Sequence, residues 1–595
     1  MRFCIISLAI MSVSMLPARG LAACKIAKLV ELPVTMNLSK PLITAKFNDA
    51  DVQLVVDSGA FFSMISAASA AELKLKLYPA PFGFRVTGIG GTTDASVATV
   101  KVFLLQGVPI RNIEFLVGGS EVGAGSVGVL GQNVLRVGDV EYDLAKGVIR
   151  LMHVEDCRHT RLAYWIEGSQ PYSVMGIDST TPLLPHAIGT AFVNGARIRV
   201  AFDTGAGASL LSMKAAERAG IKPDSPGVVD AGFTRGIGRG TVRSFIGRFS
   251  SFKIGDEEIK NTRLRFGDAG LENADMLIGV DFFLSHRIYV ANSQHLLYFT
   301  YNGGPVFNLS STAYTAKSTE PASETSPEVK KESGEPADAA AYGRRGTAFA
   351  ARRDFERALA DLTRASELAP SQPEYFYQRG VVYQESGQAD PAMADFNRAL
   401  QLKPDDVPAL TARAALRLGS HDTAAATADL DAAARIAPNE SDRRLFIAQA
   451  YERADLLVQS IAQYDLWITS HPEDSRMGQA LNSRCWERAL QGANLAKALT
   501  DCNGALKLAV RSSTFAGRIL GSRGLVRLRL GDYDKSIADY DDSLKLAPKN
   551  AWSLYGRGVA KLRKKKIAEG EADMGAATAL WAPIEDEFKR RGIAP

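Results

Sequence analysis

Two hydrophobic rhythms divide this chain. Up to about residue 303, apolar and polar positions alternate in short runs such as Val97-Ala98-Thr99-Val100-Lys101-Val102, with glycines at turn spacing. A period of two broken by frequent turns predicts β-strands. One short helix is expected in each half of this region, at 66–75 and at 213–219. Over 304–338 the pattern stops. Ser, Thr, Glu, Pro and Lys dominate, bulky apolar residues nearly vanish, and a solvated linker is expected. From residue 339 onward the pattern is helical.

The helical part repeats. Pro370, Pro404, Pro438 and Pro472 stand 34 residues apart; Arg345-Gly346 returns as Arg379-Gly380, and Arg523-Gly524 as Arg557-Gly558. Ala358, Ala392 and Ala498 mark the second helix of a unit. A small residue in the first helix lets the second approach, and a proline closes the unit. Period and pattern together are those of the tetratricopeptide (TPR) repeat, and 339–590 resembles an array of about seven such units, the fifth slightly irregular. The resemblance implies an all-α solenoid whose concave face holds a protein partner.

The strand-rich part also repeats, at a longer period. Asp57-Ser58-Gly59-Ala60 matches Asp203-Thr204-Gly205-Ala206. Each motif follows an apolar run (Leu54-Val55-Val56; Val200-Ala201-Phe202) and is followed six residues after the Asp by a serine, Ser63 or Ser209. Glycines flanking isoleucine come next (Gly88-Ile89-Gly90; Gly236-Ile237-Gly238), then an apolar pair and a glycine (Val129-Leu130-Gly131; Leu277-Ile278-Gly279). Two copies, 28–157 and 186–303, are therefore expected, joined by a connector at 158–185. Two carboxylates held together share one proton, because both cannot ionise readily at short range. Such a pair hydrolyses a peptide bond without metal: the ionised group activates water and the protonated one binds the scissile carbonyl. Gly59 and Gly205 permit the tight approach, and the Ser58 and Thr204 hydroxyls can tie the opposing loops.

On these residues each copy resembles a retropepsin-like aspartic protease subunit. The resemblance covers roughly 30–303 and implies two all-β barrels forming a pseudo-dimer within one chain, with Asp57 and Asp203 as the catalytic pair. It further implies flaps at Gly88, Ile89 and Gly90 and at Gly236, Ile237 and Gly238, closing over a peptide or protein substrate, with no cofactor and no metal. The chain departs from retroviral members after the late glycine, where Gln132 and Val280 replace the usual Arg, and Asn133 in one copy corresponds to Asp281 in the other. The expected function is an exported aspartic endopeptidase whose TPR array recruits a partner or substrate. The alternative is a TPR scaffold or peptide-binding protein with a catalytically silent protease-like module. A pairing of each copy with its counterpart in a second chain is also open. Phe82, Phe84 and Phe233 suggest apolar side-chain pockets.

Composition and charge narrow the setting. At 595 residues several domains are required, and a net charge of +5 favours neither nucleic acid nor a membrane surface. No apolar stretch is long enough to span a membrane. Arg2, the apolar run 4–16 and small residues up to Ala23 read as a signal peptide over 1–23, so a periplasmic or secreted location is expected. Its removal leaves Cys24, Cys157, Cys485 and Cys502, enough for two disulfides. Cys24 and Cys157 bracket the first copy; Cys485 and Cys502 fall on the two helices of one repeat. Leu21-Ala22-Ala23-Cys24 also resembles a lipobox, so a lipid anchor on Cys24 is the competing reading. The loop 236–240 lacks the following helix of a dinucleotide site. His153 and His159, flanking Asp156 and Cys157, read as a solvated segment, and Lys564-Lys565-Lys566 as a solvated helix face.

Overall fold

Each apolar run of the first copy becomes a strand of one curled sheet. The computed structural model describes residues 24–307 and 335–593, apart from 82–83, 89–90, 120–122, 124, 181–185, 237–240, 269, 272 and 511–512. The signal segment 1–23, most of the linker, Phe82, Ile89, Gly90, Ile237 and Gly238 lie outside the described residues. In the first copy the strand order is Lys40–Phe47, Ala50–Val56, Gly128–Leu130, Met64–Ile65, Val108–Val117, Ser96–Leu105, extended at its ends by Thr35–Asn37 and Leu77–Pro79. Lys40–Phe47 then pairs with Ser96–Leu105, which closes the sheet into a barrel. The second copy repeats the order: Ile188–Val193, Ala196–Phe202, Met276–Ile278, Leu210–Ser212, Glu257–Gly267, Thr241–Ile254, with Ile188–Val193 closing on Thr241–Ile254. The expected short helices are present as Ala67–Glu72, capped by Ser66, and Met213–Arg218, capped by Ser212.

A third sheet joins the copies. Its order is Lys25–Pro33, Val148–Glu155, Asp139–Asp143, His286–Ala291, Leu296–Tyr301, Ser173–Gly176. Three strands precede the second copy, two close it, and the last comes from the 158–185 stretch. At the centre Val140, Glu141 and Tyr142 pair with Val290, Tyr289 and Ile288. Ser173–Gly176 takes in the second half the place that Lys25–Pro33 holds in the first. Across the junction the Arg287 guanidinium donates to the buried Glu141 carboxylate (2.9 Å), which also accepts from Arg150 (2.6 Å) and from the Tyr164 hydroxyl. One continuous apolar core runs through both barrels, from Leu54, Val56 and Phe115 to Phe202, Phe282 and Phe283. Val306 and Phe307 are buried in it, so the folded β-unit reaches Phe307.

Cys24 and Cys157 are disulfide-bonded, with Cα atoms 4.6 Å apart, just beyond the pair Lys25–Glu155 that ends two adjacent strands. In that bond the Cys24 sulfur has no valence left for a lipid thioether. Cys485 and Cys502 form the second disulfide, joining the two helices of repeat five. Among the described residues no helix is long and apolar enough to cross a membrane.

Among the described residues the helical half is built of seven helix pairs, from Ala339–Ala351 with Phe355–Leu368 to Ala551–Arg563 with Ile567–Leu580, followed by Ile584–Arg590. The repeated glycines mark close approach. A Cβ on Gly380 would strike Phe396, and one on Gly524 would strike Tyr540. Each repeated arginine also has a partner on the second helix. Arg345–Asp361, Arg379–Asp395, Arg413–Asp429, Arg484–Asp501, Arg523–Asp539 and Arg557–Asp573 form two-pronged ion pairs, every prong between 2.6 and 2.9 Å. Repeat four breaks the ladder, with Ile447 and Gln463 at those positions. The first helix docks on the β-unit: Thr347 Oγ1 accepts from Met36 N (3.2 Å) and Arg352 donates to the Gly303 carbonyl.

Asp429 is nearly buried and holds both Arg413 and Arg417. Asp429→Ala removes the carboxylate partner of both guanidiniums, so a loss of about 2–3 kcal/mol is expected, below the cost for a fully buried pair because Arg413 keeps Asn397, Arg417 keeps the Ala425 carbonyl and both keep some solvent. Urea unfolding of the full chain followed by far-UV circular dichroism measures it; an unchanged midpoint would show that the ladder contributes nothing.

Candidate active site

Each motif residue has a structural task. The strand before each Asp pairs in parallel with the apolar-apolar-Gly segment, so Asp57 N donates to Leu130 O (3.0 Å) and Asp203 N to Ile278 O (2.9 Å). The serine six residues on bridges the same segment. Ser63 Oγ accepts from Gly131 N (3.0 Å) and donates to Asn133 Oδ1 (2.9 Å). Ser209 Oγ accepts from Gly279 N (2.9 Å) and donates to Asp281 Oδ1 (2.7 Å). Asn133 and Asp281 thus perform one task with different charge. Burial pushes the Asp281 carboxyl up to about 6, against hydrogen bonds from Ser209 and Phe282 that favour its ionised form. Gln132 Nε2 donates to Ser58 O (2.7 Å), so the residue standing in place of the usual Arg also supports the Asp57 loop.

The two loops meet at the barrel junction and are tied crosswise. Ser58 N donates to Thr204 Oγ1 (3.0 Å) and Thr204 N to Ser58 Oγ (2.9 Å). Each hydroxyl then donates across the junction, Ser58 to Phe202 O (2.9 Å) and Thr204 to Val56 O (2.7 Å). Both side chains are buried. The tie brings Asp57 and Asp203 together. The carboxyls hydrogen-bond to one another, and a Cβ on Gly59 would fall on the Asp203 carboxyl and one on Gly205 on that of Asp57. Each carboxylate also accepts from its own loop, Asp57 Oδ1 from Gly59 N (2.9 Å) and Asp203 Oδ1 from Gly205 N (2.8 Å). Burial, and then the Asp203 charge, hold the Asp57 carboxyl far above the ordinary carboxylate range. Tyr142 lies beside the pair, within hydrogen-bonding reach of Ser58, and burial pushes its phenol upward.

Hairpins stand where flaps were expected. In the first copy Arg85–Gly88 pairs with Gly91–Asp94, bringing Gly88 opposite Gly91. In the second Val229–Arg235 pairs with Thr241–Ile254 and leads into Gly236. Phe84 packs near Phe62 (6.3 Å between ring centres), beside Ala60 of the Asp57 loop, whereas Phe233 is exposed. His153 lies on the surface next to Glu155 (3.2 Å).

Besides Tyr142, two residues beside the pair were not singled out from the sequence. Lys40 Nζ donates to Gly205 O (2.6 Å), and its charge favours ionised Asp57. His186 hydrogen-bonds the Gly59 backbone, and its ring meets Phe61 edge-on at 4.6 Å. Burial lowers its pKa, partly offset by Asp203. Each stands 17 residues before its Asp, so aligning the copies on the Asp motifs would have paired them. A lysine faces one loop and an imidazole the other.

Two barrels of one topology, each lending an aspartate to a shared junction, define an aspartic-protease-like pseudo-dimer. A family model described as aspartyl protease matches residues 43–134, and one for the gag-polyprotein aspartyl protease matches 190–285. Tetratricopeptide repeat models match 345–417 and 522–582. The chain therefore carries two aspartyl protease domains followed by TPR repeats. No curated protein matches it. Similar solved structures include a tetratricopeptide repeat protein from Parabacteroides merdae at 16% identity, covering 42% of this chain and 97% of that one, with a TM-score of 0.32. The APC/C hetero-tetramer Cut9-Hcn1 matches at 15% identity and a TM-score of 0.31; the match covers 42% of this chain and only 48% of that one. YrrB, described as a TPR protein with an unusual peptide-binding site, matches at 12% identity over 39% of this chain and 97% of its own, with a TM-score of 0.23.

Thr204→Val keeps the shape of the loop but leaves buried Ser58 N and Val56 O unpaired, a loss of about 2 kcal/mol. Ser58→Ala is expected to cost a similar amount. Because the two hydroxyls form one network, the double variant should lose less than the sum. Chemical unfolding of the full chain gives all three values; strict additivity would mean that the two ties act independently.

Proposed function

We propose that this protein is an exported aspartic endopeptidase with one active site, built from Asp57 and Asp203, and that its TPR array recruits a protein partner or substrate. The observation that carries the reading is the pair of hydrogen-bonded carboxyls, half-buried side by side at the junction of two barrels in a single chain. One proton on such a pair leaves one carboxylate to take a proton from water and one carboxyl to donate to the scissile carbonyl. The tetrahedral intermediate then collapses as the proton passes to the leaving nitrogen. Ser58, Thr204, Gly59 and Gly205 hold the geometry, and the hairpins ending at Gly88 and Gly236 are suited to bind an extended peptide through strand-type pairing. Two disulfides and the apolar run near the N-terminus support export.

Asp57→Asn and Asp203→Asn should each abolish cleavage of a peptide library by the full-length protein; full activity in either single variant would sink the shared dyad. The silent-module alternative predicts that a transition-state analogue of peptide hydrolysis binds no better than a plain peptide.

The pH profile has a definite sign. The Asp57 carboxyl is pushed up to about 8, so the shared proton persists through neutrality and is lost as pH rises past that value. Activity should therefore be retained at pH 7 and fall on the alkaline side near pH 8. An optimum confined to pH 3–4 would contradict this reading of the dyad.

A further inference from the structure

The TPR array contains one buried carboxyl group that its own repeat does not call for. Glu487 sits three residues after the ladder arginine of repeat five. The other repeats place Ala348, Val382, Leu416, Ala450, Val526 and Ala560 at that position, so its register is otherwise apolar. The Glu487 side chain is fully buried. Its Oε1 accepts from Ser460 Oγ (2.7 Å), but Oε2 has no hydrogen-bond partner. The nearby Arg488 is engaged elsewhere, by Asp501 (2.7 Å) and Asp465 (2.9 Å). Burial pushes the Glu487 carboxyl up to about 9, as expected of an acid without a counter-ion.

Glu487 lines a cavity of about 540 Å³ between Arg443–Arg453 and Met477–Gln491, the first helices of repeats four and five. This volume lies within the ~300–1,000 Å³ range of ligand sites. Three carboxyl groups, Glu452, Asp455 and Glu487, face it against the single guanidinium of Arg453. Asp455 is already paired with Arg590 and Arg591 at the chain's last helix, while Glu452 accepts from the Tyr464 hydroxyl (2.8 Å). Trp486, Leu457 and Leu490 supply an apolar wall, and an indole face attracts a cation that has left water.

We propose that this cavity receives a basic side chain, lysine or arginine, of a bound polypeptide, with Glu487 as its counter-ion. The aliphatic stem would lie along Leu457, Leu490 and Trp486 while the cationic head meets Oε2, replacing an unpaired buried acid by an ion pair. The site is independent of the proteolytic reading and belongs to the array alone.

The test uses the full-length protein carrying Asp57→Asn, so that no probe is cleaved. A lysine-containing acetylated pentapeptide, otherwise alanine, is compared with its norleucine counterpart by calorimetry and by tryptophan fluorescence, with Trp486→Phe identifying the reporting indole. The lysine peptide should bind at least tenfold more tightly than the norleucine peptide. Glu487→Gln, which keeps the shape and the Ser460 contact, should remove that preference. Glu487→Val, which restores the apolar register, should do the same while unfolding no more readily than the parent. A peptide held in the dyad cleft would ignore both substitutions. Equal binding of the two peptides, or unchanged lysine preference in both variants, would overturn the proposal. n-Butylamine binding as tightly as the peptide would overturn its assignment to a polypeptide.

Discussion

Two carboxyl groups held in contact inside a protein repel one another as soon as both ionise, and the β-half of this molecule is organised around resisting that repulsion. The low dielectric of a buried junction magnifies the effect. The loops are therefore clamped twice. Close to the carboxyls, Ser58 and Thr204 exchange two hydrogen bonds and donate two more across the junction, to Phe202 O and Val56 O. Farther away, the six-stranded sheet fuses the barrels through Asp139–Asp143 and His286–Ala291, with the buried Glu141–Arg287 pair between them. Burial and the neighbouring Asp203 charge favour a protonated carboxyl at Asp57, so the same close approach that the fold enforces also acts on protonation.

A single chain frees its halves from identity. Lys40 and His186 stand at matching places beside the dyad, as do Asn133 and Asp281 beside the bridging serines. Tyr142 reaches Ser58 from the first copy, whereas Val290 holds the matching position in the second. The junction itself is therefore asymmetric, with a lysine against one loop and an imidazole against the other.

The helical half is stabilised by repetition, each unit braced by its glycine contact and its arginine–aspartate pair. Repeat four abandons the brace, and repeat five adds a disulfide between its helices and a buried acid beside it. Departures from a repeat are costly unless something offsets them, which draws attention to the cavity at that place. The array's first helix is bonded to the barrel through Thr347 and Arg352, so a partner bound there would lie in a set relation to the β-unit.

Much of this was legible along the chain because it rests on local or periodic rules. The 34-residue spacing gives the helix pairs. The alternating runs give the strands, and the flanked Asp motifs give the copies, since the late glycines and the serines six residues after each Asp serve contacts within their own copy, while Ser58 and Thr204 reach the other. The cysteine pairs followed from their places at the ends of one copy and on one helix pair. Other features were set by contacts between segments distant in sequence. Ser173–Gly176 reads as connector until Leu296–Tyr301 offers it an edge. Lys40 and His186 look like ordinary residues near the start of a strand until docking of the two barrels brings each against the opposite loop. Glu487 is one more polar residue on a helix until Ser460, Trp486 and the gap between two repeats enclose it. The sequence by itself determined which elements form and which two aspartates are special, because periodicity and loop chemistry act over short range. Only the tertiary structure decided which charges share a buried space, because desolvation depends on everything packed around a group and not on its neighbours in the chain.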